Sequence, residues 1–457
     1  MDRVVSYIEQ NKQRHLDELF EFLRIPSISS EPDNALHVRE CALWLLDNLK
    51  SIGIENSRLM ETPGHPLVYG EWMNAGPDAP TVLIYGHYDV QPVDPLDLWK
   101  SKPFEPVIRN GKIYGRGTSD DKGQVFAHIK AIETHLAVHG KLPVNIKLLI
   151  EGEEESGSNH LEDFIHSHKD MLKCDTVLIS DTEWFADGLP SICYSLRGIS
   201  YVEVLVTGPN RDLHSGTYGG AVDNPIQVLA GMIAKLKDEY GRITIPGFYD
   251  DVLDLTIEER EGFKKLPFSN DEYCKDLDIA GGNGEFGYTT LERTWARPSL
   301  DINGIKGGYI GEGAKTVLPS IASAKISMRL VPHQNHHDIS EKITSYLNKL
   351  APPTVKVEVN SLHGGNPVLV PRDSKGVTAA LASLKSAFGV DPVFMREGGS
   401  IPIVNVFGLE LNAPTVLMGL GLPGDNIHSP NESFAVDNFY GGIKASAYFF
   451  DEYSKIV

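Results

Sequence analysis

With 457 residues, 41% of them hydrophobic and 23% charged, the chain is too long for one ordinary core and too apolar for disorder, so two globular domains are expected. Its 42 Lys and Arg against 62 Asp and Glu leave a net charge of −20, a field that repels nucleic acid and anionic membranes. Residues 1–24 carry charges at helical spacing instead of a signal peptide's apolar run, and no segment approaches the roughly 18 apolar residues of a membrane span, so a cytoplasmic location is expected.

Residues 1–24 read as one amphipathic helix and 35–52 as a second, with Val38, Cys41, Ala42, Leu45, Leu46 and Leu49 at three-and-four spacing. The run TVLIY at 81–85 has the continuous apolar character of a strand buried on both faces, and Gly86, His87, Tyr88 and Asp89 follow it at once. A glycine-rich turn at 115–121 leads into a helix over 122–139. Strands follow at 145–150 and 176–179, the first running into Glu153, Glu154 and Glu155, the second into Ser180 and Asp181. Apolar strands alternating with amphipathic helices predict an α/β sheet covered on both faces.

From Gly198 onward the strands alternate in polarity, at 201–206, 324–330 and 355–359, with a further strand at 304–310 and helices at 224–240 and 338–350. The order β, α, β, β, α, β is the ferredoxin-like pattern. Residues 198–364 are therefore expected to be an inserted domain, interrupting a discontinuous one made of 1–197 and 365–457. Inside the insert, 242–298 is long and irregular, a length at which loops are functional or disordered. After residue 365 the first texture returns, with a helix at 373–388, a buried run at 414–418 and a closing helix at 437–453. Cys41, Cys174, Cys193 and Cys274 show no CxxC spacing and read as reduced thiols.

His87 and Asp89, Glu154 and Glu155, and Asp181 all sit just past the ends of predicted strands, the edge at which open α/β sheets bind ligands. Asp120, in the turn GRGTSDDKG, and His428, after the strand TVLMG, join the same edge. Taken singly, each histidine has an ordinary role as a hydrogen-bonded side chain, and each aspartate as a turn or cap residue. Together they form a nitrogen and oxygen donor set without sulfur, which suits Zn, Mn or Co, and they exceed the three protein ligands of one catalytic zinc. Two ions sharing a carboxylate would use them all. The chain has no GxSxG, HExxH or Gly-Lys-Ser/Thr, and Gly115, Gly117 and Gly123 do not make GxGxxG, which removes the simplest serine-hydrolase and zincin readings and argues against a nucleotide cofactor.

The segments GHYDV, GRGTSDDKG, EGEEESGS, ISD, DLHSGTYGG and IHS, in this order, resemble the co-catalytic zinc metallopeptidases of aminoacylase, carboxypeptidase G and carnosinase, closest to the cytosolic nonspecific dipeptidases. The likeness covers essentially the whole chain. It implies a zinc-exopeptidase-like α/β/α catalytic domain with an inserted ferredoxin-like α+β lid that also forms a homodimer. It further implies two divalent ions per subunit, Zn or Mn, with His87 and Asp181 on one, Glu155 and His428 on the other, and Asp120 bridging. Asp89 would orient His87, and Glu154 would be the general base, although Glu153 departs from the uncharged residue usual at its place. His214 of DLHSG would stabilise the oxyanion in the partner's site, Arg329 of SMRLVP would hold the substrate's C-terminal carboxylate, and Thr316 and Ser400 would line the pocket. The implied activity is hydrolysis of dipeptides or other small peptides. An N-acyl amino acid deacylase on the same fold is the first alternative, and a metal-dependent peptide-binding protein without catalysis the second.

Overall fold

In the computed structural model, which describes residues 1–399, 401 and 403–456, the apolar runs become the centre of a mixed sheet. Asn145–Glu151, Thr81–His87, Thr176–Ile179 and Thr415–Leu417 lie side by side in parallel. Leu67–Trp72 and Glu55–Met60 continue one side antiparallel, and on the other side Leu417 pairs with Cys193 of Ser191–Leu196. Val82, Leu83, Ile84, Leu148, Leu149, Val177, Leu178, Val416 and Leu417 are all fully buried, which is why these strands read as unbroken apolar runs. Each such side chain contributes about 1.5–3 kcal/mol through its burial.

The chain divides into two compact units: Met1–Tyr194, Val370–Met395 and Ile403–Val457 make the first, and Ser195–Leu369 with Arg396–Pro402 the second. In the first, helix Lys122–His139 packs on Thr81–His87 and is also covered by Val436–Ile456, so it is buried continuously as far as His135. His128 of this helix is fully buried, with Nε2 2.9 Å from Ser180 Oγ and Nδ1 2.8 Å from Ser446 Oγ. Because Ser180 Oγ donates to the carbonyl of Met418, it must accept from Nε2–H, and Ser446 donates to Nδ1. A neutral ring therefore satisfies every atom, and burial holds its pKa down at about 3.

The unfolded chain takes up a proton below about pH 6.5 that folded His128 refuses. The stability this group contributes is complete above pH 6.5 and is lost as pH falls toward 3, at up to about 1.4 kcal/mol per unit. Urea unfolding at pH 7 and pH 5 should show wild-type protein losing about 2 kcal/mol more than His128→Gln over that interval. Equal losses would show that His128 is not held neutral.

Two expected helices are shorter than their periodicity. The segment 1–24 forms two helices, Asp2–Gln10 and Lys12–Leu23, because the Asn11 side chain takes the carbonyl of Tyr7 at 2.8 Å and turns the chain there. In the second unit, 224–240 yields only Pro225–Ile233. The Asp238 carboxylate accepts the N–H groups of Tyr240 and Arg242 at 2.9 and 2.8 Å, and Gly241 takes φ +73°, so a side-chain-closed turn replaces the last helical turns. The strand expected at 304–310 lies earlier, at Ser299–Gly307.

The second unit's sheet is antiparallel throughout, in the order Ser299–Gly307, Ile321–Leu330, Gly198–Thr207, Lys356–Gly365. That is second, third, first and fourth in chain order, the ferredoxin-like arrangement. Gly198–Thr207 alternates buried and half-buried residues along its whole length. Val202, Val204, Val206, Ile326 and Met328 meet Leu229, Met232, Ile339, Ile343 and Leu347 from helices Pro225–Ile233 and His336–Leu350 in one core. The segment 242–298 is ordered, with three short helices, Ile257–Lys264, Asn270–Asp276 and Thr290–Trp295. It is held by an alternating ladder in which Arg242 lies over Tyr249, Arg297 contacts Tyr249 and Tyr288, and Arg260 lies over Tyr288, at 4.0 to 5.3 Å from the ring centres. Glu285 closes the ladder with two bonds to Arg297, at 2.8 and 2.9 Å. No described helix is long and apolar enough to cross a membrane.

Candidate metal centre

The four parallel strands end at one edge, and the chain places its chemistry there. His87 is the last residue of Thr81–His87, Asp181 follows Thr176–Ile179 by two residues, and Glu154 and Glu155 begin the short turn after Asn145–Glu151. Asp120 closes the turn that precedes helix Lys122–His139, and His428 comes from the loop after Thr415–Leu417. His87 Nε2 is 3.0 Å from Asp120 Oδ1 and 3.8 Å from Asp181 Oδ1. His428 Nε2 is 2.9 Å from Asp120 Oδ2 and 3.4 Å from Glu155 Oε2. The donor atoms of His87, Asp120 and Asp181 lie within 4.8 Å of one another, and so do those of Asp120, Glu155 and His428. Asp120 belongs to both groups through its two oxygens.

Asp89 sits behind this edge, fully buried. His87 Nδ1 is 3.1 Å from the Asp89 carbonyl and 3.4 Å from its carboxylate, which leaves Nε2 facing the donor groups. The same carboxylate accepts the N–H groups of Glu154 and Glu155, at 3.3 and 3.0 Å, and the hydroxyl of Ser29 at 2.6 Å. One aspartate thus ties the end of one strand to the turn after the next. Gln91 Nε2 donates to Glu155 Oε2 at 2.7 Å. Ser29 and Gln91 were not singled out in the sequence, where neither has a periodicity or motif to mark it. Glu153 turns elsewhere, to His160 Nδ1 at 2.8 Å, so the extra carboxylate of the EEE run lies outside both donor groups. Gly123 has a local reason: a Cβ there would stand 1.9 Å from the carbonyl of Thr118, inside the turn that carries Asp120.

The electrostatics of the bare donor set are unfavourable without cations. Burial, then repulsion from Asp181, Asp120 and Asp89 against some relief from His87, pushes the Glu154 carboxyl well above the usual range. Burial and Asp120 do the same to Glu155, and burial raises Asp181. Burial opposes charge on His87, but the surrounding carboxylates of Asp120, Asp181 and Asp89 outweigh it and hold its pKa well above normal. Asp120 is pulled down despite its burial by bonds to His428 and His87. Two divalent ions fit this set: they would replace the protons and relieve the repulsion, and the N and O donors suit Zn or Mn. Glu154, in contrast, belongs to neither donor group, and its carboxyl has no hydrogen-bond partner among the described residues.

Within the second unit, His214 pairs with Val317 across a two-residue ladder, and Ser215 N donates to the carbonyl of Thr316 at 3.1 Å, so His214 and Thr316 are neighbours on an exposed edge. Arg329 lies on Ile321–Leu330, opposite Ser299 and Ile199, half-buried, and its burial lowers its pKa. Ser400 lies outside the described residues.

A family model described as peptidase family M20/M25/M40 matches residues 83–452. The chain is 36% identical to a Cys-Gly metallodipeptidase, DUG1, of Candida albicans over 98% of its own length and 96% of the relative. It is 33% identical to the human Beta-Ala-His dipeptidase over 100% of its length and 93% of that protein. Among solved structures, an M20 family metallo-carboxypeptidase of Sulfolobus solfataricus superposes with a TM-score of 0.84 at 37% identity, covering 96% of this chain and 99% of that one.

Proposed function

The chain belongs to peptidase family M20/M25/M40 and is a metal-dependent dipeptidase, and we propose that it cleaves small peptides bearing a free C-terminal carboxylate, with Glu154 as general base. The observation that carries this reading is the pair of three-residue donor groups sharing Asp120, with Glu154 beside them, its carboxyl without a hydrogen-bond partner among the described residues. We assign His87 and Asp181 to one ion, Glu155 and His428 to the other, Asp120 to both, and Asp89 to the orientation of His87. The discontinuous unit is the catalytic domain in this reading, and the inserted unit carries substrate recognition and dimerisation.

When bound, the two ions supply a water of lowered proton affinity and a Lewis acid for the scissile carbonyl. Glu154 accepts that water's proton at a carboxylate oxygen and passes it to the departing amine nitrogen, so one group serves as base and then as acid. Burial of Glu154 raises its carboxyl above the ordinary range, the direction in which a carboxylate is tuned to carry a proton. Arg329 suits the substrate carboxylate through its bidentate guanidinium, and Thr316 and Ser400 complete the pocket. His214, on an exposed edge, serves the site of a second copy, and the exposed Ile302 and Ile305 along Ser299–Gly307 favour association through this unit. The four cysteines, which form no disulfide among the described residues, fit a reducing, cytoplasmic setting.

The test is a panel of unblocked dipeptides, C-amidated dipeptides, tripeptides and N-acetyl amino acids, offered to protein stripped by chelator and refilled with Zn or Mn. Cleavage of free dipeptides that metal restores supports the reading, and preference for the N-acetyl compounds would move the substrate class to the deacylases. On the same panel, Arg329→Ala should lower kcat/KM on free dipeptides by about 10²-fold, the scale of a lost charge-assisted pair, and leave the amidated peptides nearly unchanged. Equal losses on both would remove Arg329 from carboxylate recognition.

A further inference from the structure

Glu432 is fully buried, four residues after His428, and plays no part in either donor group. Both of its oxygens are nevertheless occupied. Oε2 accepts from Arg116 Nη1 at 2.8 Å and from the N–H of Gly117 at 3.0 Å, and Oε1 accepts the N–H groups of Ser119 and Asp120 at 2.9 and 3.2 Å. Its own carbonyl takes the N–H of Gly115 at 3.1 Å. One side chain therefore gathers three backbone donors of the GRGTSDDKG turn, the last of them the N–H of Asp120 itself. Arg116 is fixed in its turn by the carbonyl of Pro92 at 2.9 Å and by the ring of Trp99, 5.5 Å away.

A buried ion pair is a costly way to stabilise a core, since apolar side chains of equal volume do as well or better. What it supplies here is direction. We propose that Glu432 is a positioning residue for Asp120: it holds the backbone at residue 120 so that the Asp120 oxygens divide, Oδ1 toward His87 and Oδ2 toward His428. The same loop carries His428, and it is fastened to the turn a second time by Asp425, whose carboxylate accepts Leu422 N at 2.8 Å and Ser119 Oγ at 3.3 Å. The distance between the shared carboxylate and one of its histidines is thus set by a single loop. This inference rests on the reading of Asp120 as the ligand of both ions.

Glu432→Gln keeps the shape and breaks the function of the clamp. Every face of the carboxylate meets an N–H, so whichever way the amide is placed, its NH₂ confronts donors. Titration with Zn(II) against a competing chelator should show both ions bound about 10–100-fold more weakly, the scale of a lost partner behind a ligand. The rise in melting temperature on adding Zn(II) should shrink accordingly, whereas a merely structural role would lower the melting temperature equally with and without metal. His428→Ala, run beside it, should weaken one ion alone.

Wild-type affinity for both ions in Glu432→Gln, or weakening of only one, would overturn the proposal. If Glu432→Gln does not fold, Glu432→Asp, which keeps the charge and withdraws it by one methylene, is read the same way: weakening of both ions is expected, and unaltered affinity overturns it. Asp120→Ala separates the two levels of the argument. If it loses both ions while Glu432→Gln keeps them, only the positioning role fails; if Asp120→Ala keeps both ions, the shared-ligand reading fails and this inference with it.

Discussion

Glu154→Gln is expected to bind two metal ions as the wild type does and to turn over dipeptides about 10²–10⁴-fold more slowly, the range over which a positioned proton carrier acts. The substitution is isosteric and removes only the capacity to accept a proton. Among the described residues no hydrogen-bonded partner of Glu154 could take over, and the nearby carboxyls of Asp120, Asp181 and Glu155 belong to the donor groups. Steady-state kinetics and elemental analysis of the same preparation check both halves. A fall of less than tenfold would remove Glu154 as the base. Loss of one ion with retained proton transfer would instead exchange the roles of Glu154 and Glu155, the one ambiguity left by three consecutive glutamates.

The second large effect is at Asp120. Its two oxygens lie 3.0 and 2.9 Å from His87 and His428, and it is the member common to both donor groups. Asp120→Ala should therefore lose both ions at micromolar metal and, with them, several kcal/mol of transition-state stabilisation, a fall of about 10³-fold or more in kcat/KM. His87→Ala and His428→Ala should each lose one. Equilibrium dialysis with counted metal separates these outcomes, and an Asp120→Ala protein retaining one tightly bound ion would show that the groups do not share this residue.

The parallel strands were legible because strands buried on both faces have nothing but apolar residues to show, and His87, Glu155 and Asp181 because they lie at or just past the ends of three of them, whereas Asp120 and His428 were reached through the turn GRGTSDDKG and the loop after TVLMG. The ferredoxin-like order was legible for the opposite reason, since Gly198–Thr207 and Ile321–Leu330 alternate cleanly. Misjudged boundaries at Asn11 and Asp238 share one cause: a short polar side chain that bonds the backbone locally and so competes with the helix, which hydrophobic periodicity does not register. The helices within 242–298 were too short to show a period, yet two carried a start signal that would have found them. Thr256 with Glu259, and Thr289 with Glu292, each form a reciprocal capping box. Gln91, Ser29, Arg116 and Glu432 were invisible for a deeper reason. Their partners are far away in the chain, as in the bonds from Glu432 back to the turn at 117–120, and pairing at that range leaves no local pattern.

The threading of the first unit has a consequence for the order of its birth. Its chain is made in three pieces, with the second unit synthesised between them. His87, Asp120 and Asp181, which make up one donor group, all precede the second unit in the chain, but the other group needs His428, which follows it. Glu432, which grips the turn around Asp120, also follows the second unit. If both donor groups hold ions as proposed, the second cannot close until the chain has returned from the second unit to the first, so the insert must be made before the chemistry can be assembled.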